Sequence, residues 1–171
     1  MNRQGNKLSF FLSDEEHTDF LGQCLGRALL ALDRYPALLF TGPLGAGKTT
    51  LIRGVVKALP GGENAEVSSP SFNILNIYPT KPRAAHFDLY RMEGMELDPE
   101  SEEVLLDSQR LIMVEWSEFL SRGLWPEERF LINIAFEDQG RTVKMETDNR
   151  ALLRMLESIS GFTWATNYEN E

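Results

Sequence analysis

Hydrophobic residues recur along the chain with two different periods, which predict alternating strands and helices. Apolar runs or alternating segments predict strands at 37–41, 74–78, 84–90, 111–114, 130–136 and 142–146. Apolar residues three and four positions apart predict helices over about 13–33, 50–59, 99–107 and 149–159. Because strands alternate with helices over the first two thirds of the chain, we expect an α/β fold. Its sheet is mainly parallel, has helices on both faces and ends in an antiparallel hairpin.

The first predicted helix carries a start signal in its sequence. Ser13 followed by Glu16 has the spacing of a capping box, and Asp14 and Glu15 place negative charge in the first turn. These residues predict that the helix is capped by Ser13.

Length and composition are those of one globular domain, which we place at residues 1–160, followed by a loose tail at 161–171. The chain has 171 residues, of which 42% are hydrophobic and 25% charged. Its net charge of −9 repels a phosphate backbone, so we expect no direct binding to DNA or free RNA. The single cysteine, the polar N-terminus and the lack of a long apolar run predict a cytoplasmic protein that does not contact membranes.

The segment Gly42-Pro43-Leu44-Gly45-Ala46-Gly47-Lys48-Thr49 lies between a predicted strand and a predicted helix. This is the spacing and context of a phosphate-binding loop, in which backbone N–H groups surround the phosphates. Lys48 can reach the β- and γ-phosphates, and the Thr49 hydroxyl suits Mg²⁺. Thr50 is expected near the α-phosphate. We therefore predict that residues 42 and 44–50 bind ATP.

Two carboxylates and a serine-rich loop are further candidates for this chemistry. Glu115 ends the apolar run 111–114, and in P-loop proteins an acidic residue at such a strand end holds Mg²⁺. Asp88 lies on the polar side of segment 84–90, where it orients an attacking water, holds the Mg²⁺ shell, or belongs to an ordinary surface strand. The predicted exposed loop Ser68-Ser69-Pro70-Ser71-Phe72 is either a γ-phosphate-sensing switch or a plain connection.

The order of these motifs resembles the bacterial TsaE family, formerly called YjeE. Those proteins are the ATPase components of the machinery that makes threonylcarbamoyladenosine in tRNA. The matching segments are 44–50, Ser69-Pro70-Ser71-Phe72, His86-Phe87-Asp88-Leu89-Tyr90-Arg91 and Val114-Glu115-Trp116. The resemblance extends from about Ser13 to Glu146 and implies a P-loop NTPase-like, three-layer sandwich fold.

The resemblance also implies roles for residues and partners. Thr49 and Glu115 would hold Mg²⁺. Asp88, together with Lys48 and Ser71, would serve hydrolysis. The residues near the nucleotide would include Trp116, Asp14 and Arg141. The partners would be TsaD and TsaB, with tRNA contacted only through the complex. ATP hydrolysis would be slow in the free protein and would drive or reset the complex.

Two other functions remain open at this point. A small-molecule P-loop kinase would use the same loop, although the chain lacks the arginine-rich lid that such kinases close over the phosphates. A nucleotide-gated binding module with negligible turnover is the second alternative. The sequence has neither an Asn-Lys-x-Asp motif nor an Asp-x-x-Gly motif after the loop, which disfavours a GTPase.

Overall fold

A computed structural model describes residues 7–70, 72–149 and 154, which form strands and helices in alternation. The strands are β1 (Lys7–Leu12), β2 (Ala37–Thr41), β3 (Leu75–Tyr78), β4 (Ala84–Asp88), β5 (Leu111–Glu115), β6 (Arg129–Glu137) and β7 (Gly140–Glu146). The helices are α1 (Glu15–Leu29), α2 (Lys48–Ala58) and α3 (Pro99–Leu105), with 3-10 turns at Ser117–Phe119 and Arg122–Leu124. The predicted helix at 149–159 lies outside the described residues except for positions 149 and 154, and the domain boundary at 160 and the tail at 161–171 lie outside them altogether.

The strands of the described residues form one sheet in the order β1-β7-β6-β2-β5-β4-β3. The four central strands, β6, β2, β5 and β4, are parallel to one another. The outer pairings are antiparallel, and the pair β6–β7 is the predicted hairpin. The α/β fold class is therefore confirmed. In such a sheet the carboxyl ends of the parallel strands meet at one edge, where ligands commonly bind.

Side chains of the central strands alternate between two hydrophobic clusters, one on each face of the sheet. In β2, Leu38 and Phe40 pack with the apolar faces of α1 and α2, whereas Leu39 packs on the opposite side with Leu105 of α3. Both clusters are shielded from water, which makes this burial the main source of stability. Helices thus cover both faces, as the alternation of elements predicts.

Helices α1 and α2 approach closely because a glycine of each faces the backbone of the other. A Cβ atom on Gly22 would lie 2.2 Å from the Leu51 carbonyl oxygen, and one on Gly54 would lie 2.1 Å from that of Asp19. The helices are also joined by an ion pair between Lys57 and Asp19 at 3.0 Å. This packing brings the beginning of α1 to the same edge of the sheet as the beginning of α2.

One local prediction is wrong, one open alternative is excluded, and one strand was not predicted. The cap of α1 is Asp14, whose carboxylate accepts from the His17 N–H at 2.9 Å; Ser13 instead donates to Asp14. Of the two alternatives for segment 84–90, the surface strand is excluded, because β4 is buried along its whole length between β3 and β5. Strand β1, which pairs with β7, was not predicted.

None of the helices in the described ranges is long and apolar enough to cross a bilayer.

Candidate active site

The glycine-rich loop connects β2 to α2 at the carboxyl edge of the sheet. Gly42 has a φ of +136°, and a Cβ there would lie 2.2 Å from the Ile134 carbonyl oxygen of β6. Gly47 has a φ of +109° and caps α2 without a side-chain hydrogen bond. Only glycine adopts such angles readily, so these positions fix the path of the loop. The first N–H groups of α2 consequently have no capping side chain and suit an anion.

Lys48 folds back over this loop. Its Nζ donates to the carbonyl oxygens of Gly42 at 2.7 Å and Pro43 at 3.0 Å, and it lies 3.9 Å from the centre of the Trp116 ring. The residue is only 4% exposed. Burial lowers the pKa of Lys48, and the negative charge of Glu115 opposes that shift. The ammonium is therefore held, poorly hydrated, beside the loop.

Thr49 connects the loop to the end of β5. Its Oγ1 donates to Glu115 Oε1 at 2.7 Å, and His86 Nε2 lies 2.9 Å from the same oxygen. Glu115 is 3% exposed and His86 is fully buried. A buried carboxylate needs hydrogen-bond donors, and here they come from α2 and from β4. The arrangement places oxygen atoms of Thr49 and Glu115 side by side.

Asp88 stands next to Glu115, because the two residues are register partners at the ends of β4 and β5. Asp88 Oδ1 accepts from the Tyr90 N–H at 2.9 Å, and Oδ2 accepts from the Ser69 hydroxyl. Asp88 is 4% exposed. The serine-rich loop thus contacts this carboxylate through Ser69, while the predicted switch residue Ser71 lies outside the described residues.

The beginning of α1 and the late hairpin complete this edge of the sheet. Thr50 Oγ1 donates to Glu15 Oε1 in the first turn of α1 at 3.4 Å, one residue after the cap Asp14. Arg141 Nη1 donates to the Ala46 carbonyl oxygen at 3.0 Å. The Arg141 Nε is buried and has no hydrogen-bond partner in the part of the chain that the structure describes. Both sequence candidates, Asp14 and Arg141, therefore belong to elements that contact the loop.

Aromatic and apolar side chains surround the same edge. Trp116 follows Glu115 in a left-handed conformation, with a φ of +58°, and its ring lies 5.0 Å from that of Tyr90. Leu44 in the loop is 71% exposed. The structure therefore brings the predicted residues of the loop, both carboxylates and Trp116 to one place.

Two contacts at this edge involve residues that were not predicted to belong to the site: His86 with Glu115, and Glu15 with Thr50. A third contact, of Ser69 with Asp88, joins two predicted candidates that the sequence did not place together. The one signal in the sequence was that His86 lies on the same polar side of segment 84–90 as the candidate Asp88, which indicated that His86 could contact the site. Within the described ranges, no group of three or more His, Cys, Asp or Glu side chains is arranged to hold a metal.

Comparison with known proteins identifies the family. The family model described as threonylcarbamoyl adenosine biosynthesis protein TsaE matches residues 12–144. The tRNA threonylcarbamoyladenosine biosynthesis protein TsaE of Haemophilus influenzae is 32% identical over 146 residues, covering 81% of this chain and 88% of that protein. The protein of the same name from Nostoc is 40% identical over 114 residues, covering 63% of this chain and 67% of that protein.

The fold is shared with a solved structure. The crystal structure of Bacillus subtilis YdiB aligns with a TM-score of 0.70 and 21% identity, covering 94% of this chain and 98% of that one. At this identity the similarity concerns the fold alone. Together with the family match over residues 12–144, it shows that the chain is a member of the TsaE family with a P-loop NTPase-like fold.

Proposed function

We propose that this chain is the Mg²⁺-dependent ATP-binding and ATP-hydrolysing component of the tRNA threonylcarbamoyladenosine machinery. It acts with TsaD and TsaB and drives or resets their complex. The observation that carries the proposal is the 2.7 Å hydrogen bond from Thr49 to Glu115, which connects the loop helix to the end of β5. Membership of the TsaE family supplies the biological setting.

The loop suits the phosphates of ATP. The beginning of α2 has no side-chain cap, and the partial positive charge of a helix N-terminus attracts anions. Lys48 adds a full positive charge that burial keeps poorly hydrated, so its attraction to a phosphate is stronger than in water. Thr50 and Arg141 border the same loop. These residues would hold the polyphosphate, with Trp116 beside it.

The oxygen atoms of Thr49 and Glu115 suit Mg²⁺. This ion prefers oxygen ligands, and in nucleotide sites it takes one or two of them from the protein and the rest from phosphate and water. When bound, Mg²⁺ neutralises charge on the β- and γ-phosphates.

Asp88 is the residue that would position the attacking water. It is buried beside Glu115, and both of its oxygens accept hydrogen bonds, so the carboxylate is fixed in orientation. A fixed acceptor next to the phosphate site can orient a water molecule and take up its proton. Lys48 would contribute by stabilising charge on the transferred phosphoryl group.

The serine-rich loop would connect this site to the partner proteins. Ser69 already contacts Asp88, so a change in the loop would alter the groups around the water position. We expect Ser71 to complete the switch when the partners bind. Ser71→Ala should then reduce the stimulation of ATP turnover by TsaD–TsaB more than it reduces ATP affinity. Ser108→Ala is the matched control, because Ser108 is exposed at the opposite end of β5.

The net charge of −9 supports contact with tRNA only through the complex, since an acidic surface repels the phosphate backbone. A gel-shift experiment tests this by comparing the electrophoretic mobility of tRNA mixed with the free chain and of tRNA mixed with the chain plus TsaD–TsaB. A shift caused by the free chain alone would contradict it.

Equilibrium ATP binding with and without Mg²⁺ tests the proposed nucleotide site. We expect Mg²⁺ to strengthen ATP binding by the wild type. Glu115→Gln should lose most of that enhancement while keeping its Mg²⁺-free affinity. Glu118→Gln, a nearby carboxylate outside the pair with Thr49, should behave as the wild type. A wild type that does not bind ATP, or a Glu115→Gln variant with full enhancement, would refute the assignment.

A further inference from the structure

His86 is a buried polar residue that the proposed function does not yet use. It is fully buried in the middle of the sheet, on the same face of β4 as Asp88. Its Nε2 lies 2.9 Å from Glu115 Oε1, and its Nδ1 lies 3.4 Å from the hydroxyl of Tyr78 on β3. The rings of Tyr78 and His86 are stacked at 6.3 Å. A row of polar groups therefore runs from β3 through β4 to the end of β5.

The direction of these hydrogen bonds follows from the chemistry of the groups. An ionised carboxylate only accepts, so His86 Nε2 donates to Glu115. In a neutral ring the other nitrogen is then an acceptor, and the Tyr78 hydroxyl is the donor that faces it. Burial raises the pKa of Tyr78, which keeps its proton available for this bond. Tyr78 thereby favours the His86 tautomer in which Nε2 carries the proton and can donate to Glu115.

Both donors to Glu115 reach the same oxygen atom. Thr49 Oγ1 and His86 Nε2 both bond Oε1, and among the described residues no hydrogen bond is made to Oε2. Two donors on Oε1 fix the position of that oxygen and so restrict the rotation of the glutamate side chain. Oε2 accepts no hydrogen bond among the described residues and is therefore the oxygen left to face a metal ion or its water.

We propose that His86, aligned by Tyr78, is a positioning residue that holds Glu115 in the orientation needed for Mg²⁺. This inference rests on the proposed function, because it concerns the same Mg²⁺ site. It adds the residues that determine how strongly that site binds the ion. Groups that hydrogen-bond to a metal-ligating carboxylate commonly change metal affinity by about 10- to 100-fold when removed.

A purely structural role makes a different prediction. If the contact between His86 and Glu115 only fills the interior, removing it lowers stability but leaves the effect of Mg²⁺ on ATP binding unchanged. The informative quantity is therefore the ratio of the Kd for ATP without Mg²⁺ to the Kd with Mg²⁺. Thermal unfolding, measured in parallel, reports the structural contribution separately.

The experiment compares four variants of the full chain with the wild type. His86→Leu removes the donor, and His86→Gln keeps an N–H donor on a side chain of similar reach. Tyr78→Phe removes only the hydroxyl. Tyr35→Phe is its matched control, since Tyr35 precedes β2 at the opposite edge of the sheet. Fluorescent ATP is titrated into each protein in EDTA and in Mg²⁺, and the Tm is recorded.

We expect His86→Leu to reduce the Kd ratio by about tenfold or more, with the Kd in EDTA within about twofold of the wild type. His86→Gln should recover a large part of the ratio. Tyr78→Phe should reduce it by about threefold, and Tyr35→Phe should leave it unchanged. These results together would support the positioning role.

If Tyr78→Phe and folded His86→Leu both show the same ratio of Kd without Mg²⁺ to Kd with Mg²⁺ as the wild type, the inference is overturned and the proposed function is left intact. If His86→Leu does not fold, the isosteric Tyr78→Phe variant decides alone. A wild type that binds ATP equally well with and without Mg²⁺ would instead overturn the proposed function, and this inference with it.

Discussion

Replacing Lys48 by methionine tests the predicted role of the loop lysine. Lys48 is 4% exposed, and its Nζ bonds the carbonyl oxygens of Gly42 and Pro43. Methionine has a similar length and flexibility, so Lys48→Met keeps the buried volume while removing the charge. The variant therefore separates the electrostatic contribution of the ammonium from its packing.

The expected loss of ATP affinity follows from the strength of a charge-assisted hydrogen bond. A hydrogen bond to a charged group contributes about 1.5–3 kcal/mol, which corresponds to a change in Kd of about 10- to 150-fold. The effect on folding stability should be smaller. Two carbonyl oxygens lose a donor, but the variant no longer buries an ammonium, whose desolvation already lowers the pKa of Lys48.

The assay is isothermal titration with ATP and Mg²⁺, alongside thermal unfolding of each protein. Lys57→Met is the matched control, because Lys57 lies in the last turn of α2 and its side chain is 41% exposed. The control should bind ATP as the wild type does. A folded Lys48→Met protein with a Kd within about twofold of the wild type would refute the electrostatic reasoning.

Three other substitutions test separate parts of the structure. Asp88→Asn should slow phosphate release by about 100-fold at saturating ATP and leave ATP affinity largely unchanged. If the variant instead binds ATP weakly but turns over normally once saturated, Asp88 serves binding and not hydrolysis. Gly22→Ala places a Cβ 2.2 Å from the Leu51 carbonyl oxygen and should lower the free energy of unfolding in urea by about 1–3 kcal/mol. An unchanged urea midpoint would contradict this prediction. Asp98 caps α3, and its hydrogen bonds with Ser101 hold the pKa of its carboxyl below that of an ordinary aspartate, so Asp98→Ala should lower the Tm at neutral pH. That difference should shrink as the pH falls through the lowered pKa, because protonation removes the same contribution in the wild type; a constant difference would contradict it.

Features encoded locally in the chain were predictable. The loop from Gly42 to Thr49 combines fixed spacing with a strand before it and a helix after it, and β5 is an apolar run ended by Glu115. The hairpin β6–β7 has alternating residues on both sides of a turn at Gly140. Each of these patterns lies within one continuous stretch of the sequence, so it needs no knowledge of which strands are neighbours.

Contacts between distant segments were harder to predict. His86 and Glu115 are 29 positions apart, and their contact depends on β4 and β5 being adjacent. Strand β1 alternates, with Leu8, Phe10 and Leu12 buried, but the exposed Phe11 makes residues 10–12 a continuous apolar run in which the alternation is not visible. The predicted cap Ser13 and the observed cap Asp14 are neighbours, and both residue types cap helices well. Only the backbone geometry decides between them.

The most direct test of the proposed function is steady-state phosphate release from ATP, measured with Mg²⁺ for the free chain and for the chain with TsaD–TsaB. A switch loop that reaches its active arrangement only in the complex would leave the attacking water poorly placed in the free chain, so turnover should be slow alone and should rise when the pair is added. The Asp88→Asn chain, mixed with the same pair, controls for phosphate released by TsaD–TsaB. A wild-type chain that releases no phosphate in either condition, or that turns over as fast alone as in the complex, would contradict the proposed function.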